Sequence, residues 1–450
     1  MDVFSTLPPE LLAPILSDLP DLKSLYSITV SSPYVFHFMG STLGANVLES
    51  VLDHPVSKDF TSTPWIPYML RLVALARQST ISNQPATDLG SFVTKYFLTN
   101  QGLGIPDLQC ENIPLIRLRD VMRAEVSCFS AREMIFLTRR IESLAVSCFE
   151  FFHDRIKSAT PSHLLDKVFQ PTPLPWKQRP DGLPWGQPYT IDAGGEASWY
   201  EMQRITLGFW SLQLSYELSN AASEGRLDWT DSDIAAIRNM GSGTCLGNFG
   251  KSNIWVAQEP LWAALIYVRH LEGLPDHCPC AGDTNGIHNE LSDFFATGFK
   301  PLGNGHLSLP RQVNIKGIRP NWPAAAAPPP HFPCIDKRDA STYHRHKVLV
   351  GCKGLRWAQP LLFPRGPARV SRGLMFSPFR ALGFGLWDDE RLISMEMIDD
   401  PTGQKPKRFE VWCQDQVYTW MSLLSRGQME ELVAHQDSTT EGPRVQETDN

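Results

Sequence analysis

Charge is sparse in this chain, and what there is leans acidic. Only 20% of its 450 residues are Asp, Glu, Lys or Arg, and 48 acids against 41 bases leave a formal net charge of −7. Without surplus cation nothing displaces the counterions condensed on phosphates, which excludes a general nucleic-acid binder. Cysteine is scarce as well: nine residues, an odd number, make no disulfide framework. No Asn-x-Ser/Thr acceptor occurs, and the acidic, proline-broken opening Met1-Asp-Val-Phe-Ser-Thr-Leu-Pro8 lacks the basic stretch of a signal peptide. The longest apolar run, around residues 261–268, is far short of the roughly 18 residues a membrane span needs. These scarcities predict a protein of a reducing compartment, cytoplasmic and/or nuclear, with neither membrane nor nucleic acid among its partners.

Motifs of chemistry are missing too. No Gly-x-Ser-x-Gly elbow, His-Glu-x-x-His helix or kinase set is present. Gly247-Asn-Phe-Gly250-Lys251-Ser252 resembles a phosphate loop, but Cys245 stands where its first glycine belongs, and the preceding residues 233–238 read as helix rather than strand. His277-Cys278-Pro-Cys280 with His288, and the set His331, Cys334, His344, His346 and Cys352, hold metal-ligating residue types. One residue between paired cysteines is too few for a structural zinc site, and no matching second pair follows. The expectation is therefore no catalytic residue, no metal and no cofactor. The short basic run Lys405-Pro-Lys407-Arg408 reads as a solvated turn. No period of 20–50 residues marks a repeat protein.

What the chain does have is apolar bulk, 42% of residues, with 13 Trp and 36 Pro. That bulk suffices for a sizeable core, and the prolines cluster into irregular connections. Residues 1–50 read as three short helices. Leu11, Leu12, Ile15, Leu16 and Leu19 share one helical side after Pro8–Pro9, and Pro20 stops that helix. Pro14 inside it removes a backbone bond, so a kink or a late start is expected. Asp21 is the N-cap of a second helix carrying Leu22, Leu25 and Tyr26. Ser31-Ser-Pro33 opens a third with Tyr34, Val35, Phe36, Phe38 and Met39.

A helical region follows over 51–160, with the capping box Ser130-Ala-Arg-Glu133 opening a long amphipathic helix through Phe152. Residues 161–197 form a Pro/Trp-rich linker containing Trp176 and Trp185. The body over 198–434 begins near Ser198 with Trp199, Gln203, Leu207, Trp210, Leu214 and Leu218 at spacings of three and four, one long apolar stripe. Thr230-Asp-Ser-Asp233 reads as a further helix start, and 260–271 and 289–295 as further helices. A second connector over 298–335 holds Trp322 and the low-complexity run 324–330. Short strands are expected around 347–350 and 409–413, and the polar tail 435–450 reads as disordered. The fold class is thus mainly α: a three-helix N-terminal unit, then an irregular helical body with long Pro-rich loops and a few short strands.

The opening pattern Leu7-Pro8-Pro9-Glu10-Leu11-Leu12, Ile15-Leu16, Leu19-Pro20, Leu22, Leu25, Val30-Ser31 resembles an F-box, with Phe36 and Phe38 where many F-boxes carry tryptophan. Residues 201–216 and 380–392 look like a large group of fungal F-box-like proteins of undefined function. The resemblance implies a non-catalytic adaptor of a cullin–RING ubiquitin ligase. It would bind a Skp-type adaptor, and through it cullin, by Leu7, Pro8, Leu11, Leu12, Ile15, Leu16, Leu19, Leu22 and Leu25. Short helices cannot bury both faces, which agrees with a surface that a partner covers. A target protein would then meet the body, with Trp176, Trp185 and Trp322 as aromatic contact area. The alternatives are an F-box scaffold acting outside a ligase and, more remotely, a metal-dependent or small-molecule enzyme within the helical body.

Overall fold

The computed structural model describes residues 2–54, 65–81, 84–96, 116–122, 130–161, 191–238, 254–271, 377–397, 419–425 and 427. Among these the fold is mainly α, with no strand. The expected strands at 347–350 and 409–413 and the helix at 289–295 lie outside the described residues. Contacts divide the chain into two units otherwise than a linear reading does. The first joins Met1–Phe149 to Ala197–Leu349, and the second joins Glu150–Glu196 to Val350–Asn450.

In the first unit a 3-10 turn, Val3–Thr6, precedes α1 (Pro9–Ser17), α2 (Leu22–Ser31) and α3 (Pro33–Phe38). Local chemistry sets these boundaries. Pro9 opens α1 where an N–H would be unpaired anyway. The Asp21 carboxylate accepts the Ser24 N–H at 2.7 Å, and the Ser32 hydroxyl accepts that of Val35 at 3.1 Å. α1 starts without delay and continues through Pro14. A fourth helix, α4 (Thr42–Asp53), extends the expected three: it buries Ala45, Val47, Leu48, Val51 and Leu52 and packs on α1. Helices α5 (Trp65–Arg77), α6 (Leu89–Tyr96), α7 (Leu118–Val121) and α8 (Ala131–Ser158) follow. The capping box of α8 is formed in both directions: the Ser130 N–H donates to Glu133 at 3.1 Å, and the Glu133 N–H to Ser130 Oγ at 3.4 Å.

The centre of this unit is α9 (Trp199–Ser223), opened by a second capping box, Ser198 with Glu201. Of its 25 residues 19 are buried. The apolar stripe expected of it is therefore one side of a helix covered all round, and Glu201, Arg204 and Gln213 are as buried as Trp210. α5 and α11 (Ile254–Leu271) flank it, and α10 (Asp231–Arg238) packs on it too, capped by the Thr230 hydroxyl. α11 begins six residues before the expected start and contains Pro260 within it. There the backbones of α9 and α11 meet: a Cβ at Gly208 would collide with the Pro260 carbonyl. Charge is paired where it is buried. Arg77 on α5 donates from Nε and Nη2 to Glu217 on α9, and Gln213 Nε2 donates to the same oxygen at 2.6 Å. On the other side of α5, Arg71 donates to Glu49 of α4 at 2.6 and 3.0 Å, while the second Glu49 oxygen accepts the Leu118 N–H opening α7 at 2.5 Å. Arg226 covers the C-terminal end of α5, donating to the carbonyls of Ala76, Arg77 and Ser79.

The second unit holds the last turns of α8, α12 (Ser377–Arg380) and α13 (Asp389–Ser394). Phe379, Phe384 and Trp420 form its aromatic core, with ring centroids 4.5–5.8 Å apart. Gly383 turns the chain at φ +84°, where a Cβ would strike the Trp387 indole. The end of the expected linker, residues 191–196, is fastened here. Arg391 donates to the carbonyls of Ala193 and Glu196, and His153 Nε2 donates to those of Ala193 and Gly194, 3.1 Å each. After α13, Glu396 sits in the left-handed region at φ 56°, its N–H on the Ile393 carbonyl and the Met397 N–H on that of Leu392. This closing turn ordinarily takes glycine.

Two outcomes follow for thermal unfolding of the full chain. Gly208→Ala forces α9 and α11 apart and should lower stability by about 1–3 kcal/mol, the usual penalty of overpacking. Glu396→Gly removes left-handed strain from an exposed position and should raise stability by about 1 kcal/mol. An unchanged melting temperature in the first variant, or a fall in the second, would contradict these readings.

Candidate functional site

The residues expected to meet a partner separate into two sets along α1. Side chains three or four residues apart share a helical face, and here the two faces differ in fate. Leu12 and Leu16 are fully buried, as is Leu25 of α2. Leu11 is 56% exposed and Ile15 49%, flanked by exposed Pro8 and Pro14. Leu7, Leu19 and Leu22 are half-buried. Of the nine residues, then, Pro8, Leu11 and Ile15 are presented on the surface, while Leu12, Leu16 and Leu25 belong to the unit's own core. Val30 of α2, which the site reading did not include, is also exposed.

A different face of these helices is covered by α8. Phe136 meets Tyr26 and Phe36 edge-on at 5.3 and 6.2 Å. The Arg132 guanidinium lies 4.2 Å from the Phe36 ring centroid, and the Arg132 N–H donates to the Met39 carbonyl at 3.1 Å. Phe36 thus packs against this helix, and Phe38 is buried. The N-terminal helices therefore carry two apolar surfaces, one closed by the chain itself and one left open on α1.

The entry to α1 is held by polar contacts. Asp2 accepts the Phe4 N–H at 3.0 Å with one carboxylate oxygen. Its other oxygen accepts the Ser32 hydroxyl at 2.6 Å and the Tyr34 N–H at 3.1 Å. The Ser32 bond is the main cause holding the Asp2 carboxyl below its ordinary 3.8; partial desolvation works against it, and the two N–H donors add to the lowering. The Tyr34 hydroxyl donates to the Leu7 carbonyl at 3.0 Å, next to Pro8.

Elsewhere the chemistry is that of a core. The Cys148 thiol is buried and pushed well above its usual range by desolvation, which makes it a poor nucleophile. Burial likewise raises the Tyr68 phenol, which donates to the Tyr96 carbonyl at 3.0 Å. Among the described residues no group of three or more His, Cys, Asp or Glu is arranged to hold a metal, and no helix is long and apolar enough to cross a membrane. Trp176, Trp185, Trp322, the Gly247 loop and both His/Cys sets lie outside the described residues. Compared with known proteins, the chain matches no family model, no curated protein and no solved structure.

The Asp2 contacts fix a pH response. A carboxyl whose folded value is depressed contributes stability above its unfolded value and loses it as pH falls through the folded one. The Phe4 and Tyr34 amide signals should thus stay constant from neutral pH down to about 4 and shift together below 3.8. In Asp2→Asn this transition should be absent; its persistence would assign the titration to another group.

Proposed function

We propose that the chain is a substrate-recruiting F-box adaptor of a cullin–RING ubiquitin ligase, docking a Skp-type adaptor on the exposed face of α1. One observation carries the reading. A helix whose inner residues Leu12 and Leu16 are fully buried still presents Leu11, Ile15, Pro8 and Pro14 on its outer side. Covering a fully exposed Leu or Ile is worth about 1.5–3 kcal/mol, so covering the exposed half of Leu11 or Ile15 is worth about 1 kcal/mol each to a partner. The resemblance of residues 7–31 to an F-box supplies the class of partner. In this reading the protein contributes position: holding a target's lysines near a charged conjugating enzyme raises their effective concentration without a catalytic group on this chain. Target recognition falls to the body and its connectors, with Trp176, Trp185 and Trp322 as aromatic contact area.

The test uses the full chain with Leu11→Asp and Ile15→Asp together, both at exposed positions where folding tolerates a charge. Loss of a single hot spot costs about 2 kcal/mol or more, so binding to a purified Skp-type adaptor should weaken at least ~tenfold. Unchanged affinity in this folded variant would remove the docking assignment. Cullin should co-purify with the wild-type chain from cells. Adaptor binding without cullin would make the protein a scaffold outside any ligase.

A further inference from the structure

We infer that Asp2 and Tyr34 are positioning residues for the docking face: together they latch the segment leading into α1 onto the corner between α2 and α3, and so hold Pro8, Leu11 and Ile15 where a partner meets them. The inference rests on the docking reading and deepens it by naming what orients that surface.

Apolar burial holds the segment only weakly, with Phe4 and Leu7 half-buried. The turn Val3–Thr6 has no buried residue, and Val3 is 74% exposed. What fixes it is polar and sits at its two ends. At the start, the half-buried Asp2 carboxylate gathers the Phe4 N–H from its own segment and the Ser32 hydroxyl and Tyr34 N–H from the corner. Bonds to an ionised acceptor are stronger than neutral ones, and this carboxylate accepts three. At the end, the Tyr34 hydroxyl reaches the Leu7 carbonyl. One residue of the corner, Tyr34, thereby serves both ends, through its backbone to Asp2 and its side chain to Leu7.

Beyond Leu7 the chain stiffens. Pro8 and Pro9 follow, with Pro8 at φ −64°, and α1 begins. Leu12 and Leu16 anchor α1 in the core, but the three residues that open it, Pro9, Glu10 and Leu11, are exposed. The latch therefore holds the segment up to Pro8, upstream of the Leu12 anchor, and sets how the exposed face begins. Releasing it leaves the core packing of α1 intact and adds an ordering cost to docking, because a partner must then immobilise residues 2–9 itself.

The experiment compares Asp2→Ala, Asp2→Asn, Tyr34→Phe and the Asp2→Ala/Tyr34→Phe pair in the full chain. It measures affinity for a purified Skp-type adaptor, melting temperature and Phe4 amide exchange. Asp2→Ala and Tyr34→Phe should each weaken binding about threefold to tenfold, with faster Phe4 exchange and a melting temperature lowered by no more than about 4–8 °C, the shift that goes with about 1 kcal/mol in a small domain. Asp2→Asn keeps one acceptor oxygen and should recover part of the loss. The pair should be scarcely weaker than the worse single variant, since opening either end frees the same segment. Wild-type affinity in the latch variants, while Leu11→Asp/Ile15→Asp abolishes binding, would overturn the inference and leave the docking reading standing. Undiminished binding in Leu11→Asp/Ile15→Asp would instead remove the docking reading and the inference with it. An equal loss of affinity in Gly208→Ala, which lowers the melting temperature without touching the latch, would make the effect one of general stability and overturn the positioning role.

Discussion

Burying a helix on every side is the constraint from which the first unit follows. α9 leaves little of its surface to water, so most polar groups it carries depend on partners inside the protein. Ser211 and Ser215 turn back on carbonyls four residues earlier, at 2.9 Å each. Glu217 cannot do so, and Arg77 of α5 is brought to it. That pairing places α5, and the same helix carries Arg71 to Glu49 of α4. α4 in turn packs on α1. The exposed face of α1 is therefore positioned through a series of contacts that begins at the centre of the unit. Buried ion pairs of this kind add little net stability compared with apolar packing, yet losing one partner strands the other as an uncompensated buried charge.

The second surface of the N-terminal helices adds to this. Phe136 and Arg132 cover Tyr26 and Phe36, so the module is fastened to α8 as well as to α4. The N-terminal helices thus belong to the first unit rather than to a tethered module of their own.

Much of the local structure was readable from the residues because it is local. Asp21, Ser32, Ser130 with Glu133, and Thr230 each cap a helix within three residues of themselves, and such chemistry needs no tertiary partner. The failures share the opposite property. The stripe from Trp199 to Leu218 accounts for one side of α9 only; Arg204 and Gln213 lie off it, yet they are buried among helices distant in sequence, and the partner of Glu217 lies 140 residues away. Pro260 reads as a helix start, yet close packing of α11 on Gly208 accommodates it within the helix. α4 escaped because its apolar residues follow directly on those of α3, with only Gly40 and Ser41 between. On α1 the sequence pattern grouped residues of both faces together. Leu11 and Leu12 are alike in chemistry, and only the packing of α1 on α4 decides which is presented and which is buried.

The cap that Arg226 places on α5 has a consequence for synthesis. Arg226 lies 149 residues beyond the carbonyl of Arg77 that it covers. At the usual elongation rates, roughly 7–30 s separate the emergence of these two residues from the ribosome. During that interval α5 has neither its C-terminal cap nor the α9 side chain that neutralises Arg77, and its apolar flank faces water. The four N-terminal helices, whose contacts with one another lie within the first 54 residues, can assemble at once. The N-terminal helices, with the exposed face of α1, can thus form while α5 still waits for the residues that pair and cap it.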